Sequence, residues 1–257
     1  MLVVAVTEDY GLATITCNCE SSMTRIAYSG HYDGSQGEDY YRWQSEIGHV
    51  GATRNRFKFE DYVSESDTVL DFGCGGGLLL AGLPVSCRLG VEVNPAARAD
   101  ALKNKVRVFK SLSDVDSLSV DVVISNHALE HTLRPFDELV EISRVLKRGG
   151  RFVLWLPLND WRTDRKIASD TNHHLYAWTT LTLRNCLAEA GFDVEECRVV
   201  TSAWLPRLAP LERLLPRSVV KVMRYWTAVF LRRREIKAVA CPTTDDAHVK
   251  AQSHEAI

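Results

Sequence analysis

The sequence has few of the features that would set it apart from an ordinary folded domain. No apolar run in its 257 residues approaches the ~18–20 residues that a spanning helix needs. It has no excess of either charge: 31 Lys and Arg face 33 Asp and Glu, a formal net charge of −2. Without a basic excess there is no global field to draw in nucleic acid, and a nucleic-acid partner is not expected. The seven cysteines, odd in number and scattered from Cys17 to Cys241, do not form a disulfide framework. A reducing, cytoplasmic compartment is therefore expected. Cys17-Asn18-Cys19 lacks the second pair that zinc would need, so no metal is expected. The first residues meet Glu8 and Asp9 without a basic start, unlike a secretory signal. There is no internal repeat and no low-complexity tract. What is present, 46% hydrophobic and 25% charged residues, suits one α/β domain with small additions.

Residues 1–28 are expected as an N-terminal extension outside the fold, with Met1 and Met23 both open as the start. The loop-like 29–37 and the aromatics Tyr40, Tyr41, Trp43, Phe57, Phe59 and Tyr62 among charges predict a helical cap over 29–66. The block 67–241 is more regular. Short β-rich runs at 68–72, 89–93, 106–109, 121–125 and 152–156 alternate with helical stretches near 78–81, 95–102 and 136–147. A helix at 179–190 stops at Gly191 before a strand at 192–200. A last strand at 235–240 follows a basic insertion over 203–234, and 242–257 reads as a flexible polar tail. This alternation predicts a doubly wound, Rossmann-like α/β sheet, mostly parallel, with one antiparallel edge strand from 235–240.

The strongest chemical signal is Val69-Leu70-Asp71-Phe72-Gly73-Cys74-Gly75-Gly76-Gly77. A buried strand runs into a turn that carries a carboxylate and then glycines, where a ligand can approach the backbone without meeting a Cβ. The next helix directs its amides at the same place. Glu92, at the end of the second strand, stands where a carboxylate accepts hydrogen bonds from a ribose diol. A dinucleotide fingerprint begun at Gly73 would need glycine at position 78, which is Leu78, and Asp71 would repel a pyrophosphate.

The spacing D-x-G-x-G-x-G resembles the first motif of the class I S-adenosylmethionine-dependent methyltransferases, whose cofactor is cationic and suits an acidic turn. The run 122–131, ending Asn126-His127-Ala128-Leu129-Glu130-His131, looks like the family's fourth-strand motif, and 144–152 like its turn into the fifth strand. The resemblance spans about 68–200. It implies S-adenosylmethionine as cofactor, held by Asp71, Gly73, Cys74, Gly75, Gly77, Glu92, Ser111, Leu112, Asn126 and His127. The short stretch 110–120 departs from the family by leaving little room for the usual helix between strands three and four.

The acceptor side is read from loops at the same sheet edge. His127 and His173 are the candidate bases, since a neutral imidazole suits proton transfer near pH 7. Tyr41, His131, His174 and Tyr176 are candidate acceptor-binding residues. Asn172-His173-His174-Leu175-Tyr176-Ala177-Trp178-Thr179 is similar to loops of methyltransferases that modify sugars or surface glycans. The implied reaction is methyl transfer to O or N of a small or medium-sized acceptor. An NAD-dependent oxidoreductase and a methyltransferase-like module without chemistry stand as alternatives. Residues 204–237 hold nine Lys and Arg against Glu212 and Glu235, a net +7, interleaved with Val, Tyr, Trp and Phe. That composition fits either a helical cap over the site or peripheral contact with the inner face of a membrane.

Overall fold

The computed structural model describes residues 30–32, 34–158, 173–201, 214–231 and 233–243. The expected extension 1–28, the pair Cys17 and Cys19, the first part of the basic insertion and most of the polar tail lie outside the described residues. Among the described residues seven strands form one sheet: β1 (Thr68–Phe72), β2 (Cys87–Val91), β3 (Arg107–Phe109), β4 (Val120–Asn126), β5 (Leu146–Pro157), β6 (Phe192–Val200) and β7 (Glu235–Pro242). Their order is β3-β2-β1-β4-β5-β7-β6. The first five strands pair in parallel, joined by crossover connections that are helical except between β3 and β4. β7 runs antiparallel to both β5 and β6. The strand expected at the edge therefore sits one place inside it, and β6 is the edge. The chain re-enters beside the end of β6, where Glu235 pairs with Val200 and Pro157, and so fills the gap between β5 and β6 antiparallel to both.

Helices cover both faces. α1 (Gly34–Asn55), α2 (Leu78–Gly82) and α3 (Pro95–Lys103) come before β3, followed by α4 (Pro135–Val145), α5 (Thr180–Glu189) and α6 (Arg217–Leu231). α4 starts on Pro135, whose missing N–H costs nothing in a first turn, and buries Leu139, Ile142 and Val145 at helical spacing. It stops at Val145 rather than at the basic turn, and Leu146 already pairs with Val120 in the sheet. One core layer joins α4 and α5 to the sheet through Leu139, Ile142, Leu183 and Leu187. The opposite layer joins Phe59, Leu79, Leu80 and Ala101 to the other face. Between β3 and β4 there is only a 3-10 turn at Leu112–Asp114, as the shortness of 110–120 demands. Among the described residues no helix is long and apolar enough to cross a membrane.

The chain order reverses between β1 and β4, since β2 and β3 lie to one side and β5 to the other. Such a switch point opens a crevice beyond the carboxyl ends of the strands. The candidate site occupies it.

Candidate functional site

The glycine turn leaves β1 and is fastened to β2. The amides of Gly73 and Cys74 both donate to the Val91 carbonyl, at 2.9 and 3.1 Å. Gly73 has φ +79, and a Cβ there would stand 2.4 Å from the Ala128 Cβ, so the turn and the end of β4 close on each other only with glycine. Gly75 donates its amide to Glu92 Oε2 at 2.9 Å, and Asn94 donates its own to Oε1 at 2.8 Å. Each carboxylate oxygen keeps a further lone pair, which is what a ribose diol requires.

Asn94 links this wall to the chain in front of it. Its Oδ1 caps α3 through the amides of Ala96 and Ala97. Its Nδ2 donates to the carbonyls of Tyr32 and Gly37, at 3.2 and 2.7 Å. The front segment is thereby held over the cleft. The cleft encloses about 930 Å³, partly open to solvent, and its lining includes Tyr32, Tyr40, Tyr41, Glu92, Ser111, His127 and His131.

Electrostatics mark the same place. Asp71 is buried, and burial together with the nearby Glu92 pushes its carboxyl well above the usual range. Burial also raises Glu92, against the amides that hold it. Among the described residues neither carboxylate forms a salt bridge with Lys, Arg or His. Asp71 lies just behind the cleft lining, and Glu92 feels the charge of Arg98, whose guanidinium donates to the Glu92 and Val93 carbonyls at 2.9 and 2.6 Å. Two such carboxyls with no ion-pair partner of their own favour a ligand that brings positive charge and hydroxyl donors. S-adenosylmethionine, with an ammonium, a sulfonium and a ribose, fits that donor set; a pyrophosphate does not.

The acceptor side is built on β4. His127 adopts φ +56, uncommon for a residue with a Cβ, and donates its amide to the Trp155 carbonyl at 2.9 Å. Its Nε2 lies 2.7 Å from Glu235 Oε1, and the same oxygen accepts from Lys58 Nζ at 2.6 Å. Lys58 is 4% exposed and also donates to Asn126 Oδ1 at 2.9 Å. Burial alone would raise the Glu235 carboxyl, but Lys58 and His127 overcome it and hold it at about 2. Burial pulls Lys58 down, with Glu235 opposing. Glu235 is therefore an ionised acceptor between two donors.

Beside this triad stands a cluster of histidines. Tyr32 Oη and His131 Nδ1 are 2.7 Å apart, His31 stacks on His173 at 4.5 Å, and His131 meets His174 edge-on at 4.9 Å. Glu130 is fully buried, among the described residues neither side-chain oxygen has a hydrogen-bond partner, and burial raises its carboxyl to about 7. Its backbone carbonyl accepts the amides of Leu175 and Tyr176, which sets the histidine loop against β4. Ligand atoms of Glu130, His131 and His174 lie within 4.8 Å of one another, close enough to share a cation.

The expected site residues divide by position. Gly73, Glu92, Ser111, His127, His131 and Tyr41 line the cleft. Leu112 sends its side chain into the core and does not line the cleft. Cys74 is buried in the opposite core layer, where a Cβ on Gly90 would meet its Sγ at 2.5 Å. Gly77 is packed against Ala101 and Val106, so its missing Cβ admits α3 and β3. Asn126 is engaged by Lys58, Tyr176 is exposed and donates to the Leu133 carbonyl at 3.1 Å, and neither lines the cleft. His173 and His174 stand one layer behind His131. Lys58, Glu235, Tyr32 and Asn94 were not anticipated. Glu235 is 108 residues from His127, and a lone charged residue opening a strand carries no local signal of such a role.

Comparison with known proteins follows the same outline. A family described as a methyltransferase domain matches residues 40–197, more than half of the chain. An uncharacterised methyltransferase of Schizosaccharomyces pombe is 39% identical over 104 residues, covering 35% of this chain and 40% of that protein. The ribosomal protein L11 methyltransferase of Cupriavidus necator is 29% identical over 130 residues, 41% of this chain and 42% of that one. The chain thus spans less than half the length of these curated relatives. Among solved structures, the methyltransferase seen with the Trm112 activator of Haloferax volcanii superposes with a TM-score of 0.59 at 21% identity, covering 80% of this chain and 98% of that one. That likeness is one of fold. With the glycine turn, the acidic residue closing β2 and the seven-stranded order in agreement, the chain belongs to the class I S-adenosylmethionine-dependent methyltransferase family.

Proposed function

We propose that this chain transfers a methyl group from S-adenosylmethionine to an oxygen or nitrogen atom of a small or medium-sized acceptor, of the sugar or surface-glycan-precursor class, with His127 as general base. The observation that carries the proposal is His127 Nε2 held 2.7 Å from Glu235 at the wall of the cleft that Glu92 also lines. When bound, the cofactor supplies an electrophilic methyl group on a sulfonium whose thioether is a good leaving group.

The chain's own residues supply binding, position and one proton acceptor. Asp71, Gly73 and Gly75 form the turn for the methionyl end, Glu92 takes the ribose, and Ser111 meets the adenine edge. An ionised Glu235 can only accept, so His127 Nε2 carries the hydrogen and Nδ1 keeps the lone pair. The imidazole is thereby set in one tautomer, ready to take a proton from a hydroxyl as its oxygen attacks, or from an ammonium before the free amine attacks. Lys58 keeps Glu235 ionised, and its ammonium sits 4.8 Å from the Trp155 ring centroid. Holding donor and acceptor in line contributes the larger part of the rate, and a base of this kind adds roughly 10²–10⁴-fold. Tyr32, Tyr40 and His131 offer ring faces and polar tips, a lining that suits a hydroxyl-rich acceptor.

The test is S-adenosylhomocysteine release by the full chain over a panel of sugars, nucleotide sugars, phenols and amines. Turnover with a hydroxyl or amine acceptor, with kcat reduced at least a hundredfold in His127→Asn and cofactor affinity unchanged, is the expected result. Tight cofactor binding with no turnover across the panel would instead favour a binding module.

A further inference from the structure

α6 presents its apolar side to solvent. Val219, Val222, Trp226 and Phe230 recur at helical spacing and form one stripe along it. All four are exposed, Trp226 by 64% and Phe230 by 87%, and Tyr225 and Val229 flank them. The opposite side meets the protein: Ala228 is buried, and the Arg224 guanidinium lies 4.9 Å from the Phe57 ring centroid. A cap packed on the domain would be oriented the other way round, with the stripe inward. Exposed aromatics in such a row gain most by leaving water for an apolar phase.

Charge decides what that phase is. Arg233 and Arg234, just beyond the end of the helix, are exposed. Residues 204–234 hold eight Lys and Arg against Glu212 alone, in a chain whose net charge is −2. An apolar-aromatic stripe that ends in exposed cations matches a surface offering acyl chains and phosphates together. We propose that α6 docks in the plane of an anionic phospholipid bilayer, with Val222, Trp226 and Phe230 entering the headgroup boundary and Arg233 and Arg234, at the end of the stripe, against lipid phosphates. The docked element leads straight into the site, for the Arg234 carbonyl accepts the Leu158 amide at 3.1 Å and the next residue is Glu235. The proposal stands independently of the acceptor's identity.

Co-sedimentation of the full chain with vesicles tests it, using phosphatidylcholine alone and an equal mixture with phosphatidylglycerol. The expected result is binding to the mixed vesicles only, weakened by salt. Trp226→Ser with Phe230→Ser should lower binding at least tenfold, and Arg233→Gln with Arg234→Gln roughly tenfold at low salt, both with an unchanged thermal transition. Absence of binding to mixed vesicles, or equal binding by the Trp226/Phe230 variant, overturns the proposal. So does light scattering that finds a wild-type dimer converted to monomer by that variant, since the stripe would then be a self-interface.

Discussion

Replacing Glu235 with Gln tests the link between fold and chemistry at its narrowest point. One carboxylate oxygen accepts from both Lys58 and His127, at 2.6 and 2.7 Å. Glutamine preserves the size and one acceptor oxygen but removes the charge, leaving the 4%-exposed Lys58 ammonium with the neutral Asn126 amide oxygen. Breaking a buried pair from one side costs about 3–5 kcal/mol, because the remaining charge is uncompensated. For a domain of this size that corresponds to a fall in Tm of roughly 6–20 °C. Lys58→Met removes the other charge, so the double variant should be less destabilised than the two single costs added, with a coupling of about 2 kcal/mol or more. The same substitution frees the His127 tautomer, and kcat should fall about 10²-fold with little change in cofactor affinity. Urea denaturation of the four proteins and initial rates with S-adenosylmethionine measure both effects. A Glu235→Gln variant within about 0.5 kcal/mol of wild type, uncoupled to Lys58, would refute the reasoning.

Further outcomes follow from particular residues. Gly73→Ala places a methyl group against Ala128 at a positive φ, and should cost about 1–3 kcal/mol and most cofactor affinity; adding Ala128→Gly relieves the contact but not the backbone strain, so denaturation should show partial recovery. Glu130 has a folded pKa raised to about 7, so its ionisation penalises folding above the ordinary carboxyl range, increasingly from pH ~4.5 and in full above pH 7. Glu130→Gln should therefore gain on wild type by up to about 3 kcal/mol between pH 5 and pH 8, and a difference independent of pH would contradict it. Glu235 has the opposite sign: held at about 2, it contributes stability that is complete above pH ~4.5 and lost as pH falls toward 2, so the wild-type advantage over Glu235→Gln should vanish in acid titrations.

The legible part of the molecule was the part written in short-range pattern. Alternating apolar runs and helical faces mark β1 to β6 and α2 to α5 because the central strands bury both faces between two core layers while each helix buries one. The glycine turn and Glu92 were legible because close backbone approach and a ribose-binding acid demand those residues next to strand ends. The place of β7 was not, since sheet order depends on which gap remains when the chain returns. The partners of His127 were hidden for the same reason: Lys58 and Glu235 lie 177 residues apart and meet only through tertiary packing. Cys74 and Gly77 belong to the motif but serve packing, because a spacing rule does not distinguish a residue facing the ligand from one facing the core. The basic segment was legible as amphipathic, but not which of its sides meets the protein.

The central claim is that the cleft between the glycine turn and Glu92 holds S-adenosylmethionine. Calorimetric titration of the full chain with S-adenosylmethionine, S-adenosylhomocysteine and NADH tests it most directly, with Glu92→Ala in parallel. The account predicts one site for each of the first two, none for NADH, and affinity at least tenfold weaker in the variant. Binding of NADH without S-adenosylmethionine, or equal S-adenosylmethionine affinity in the variant, would contradict it.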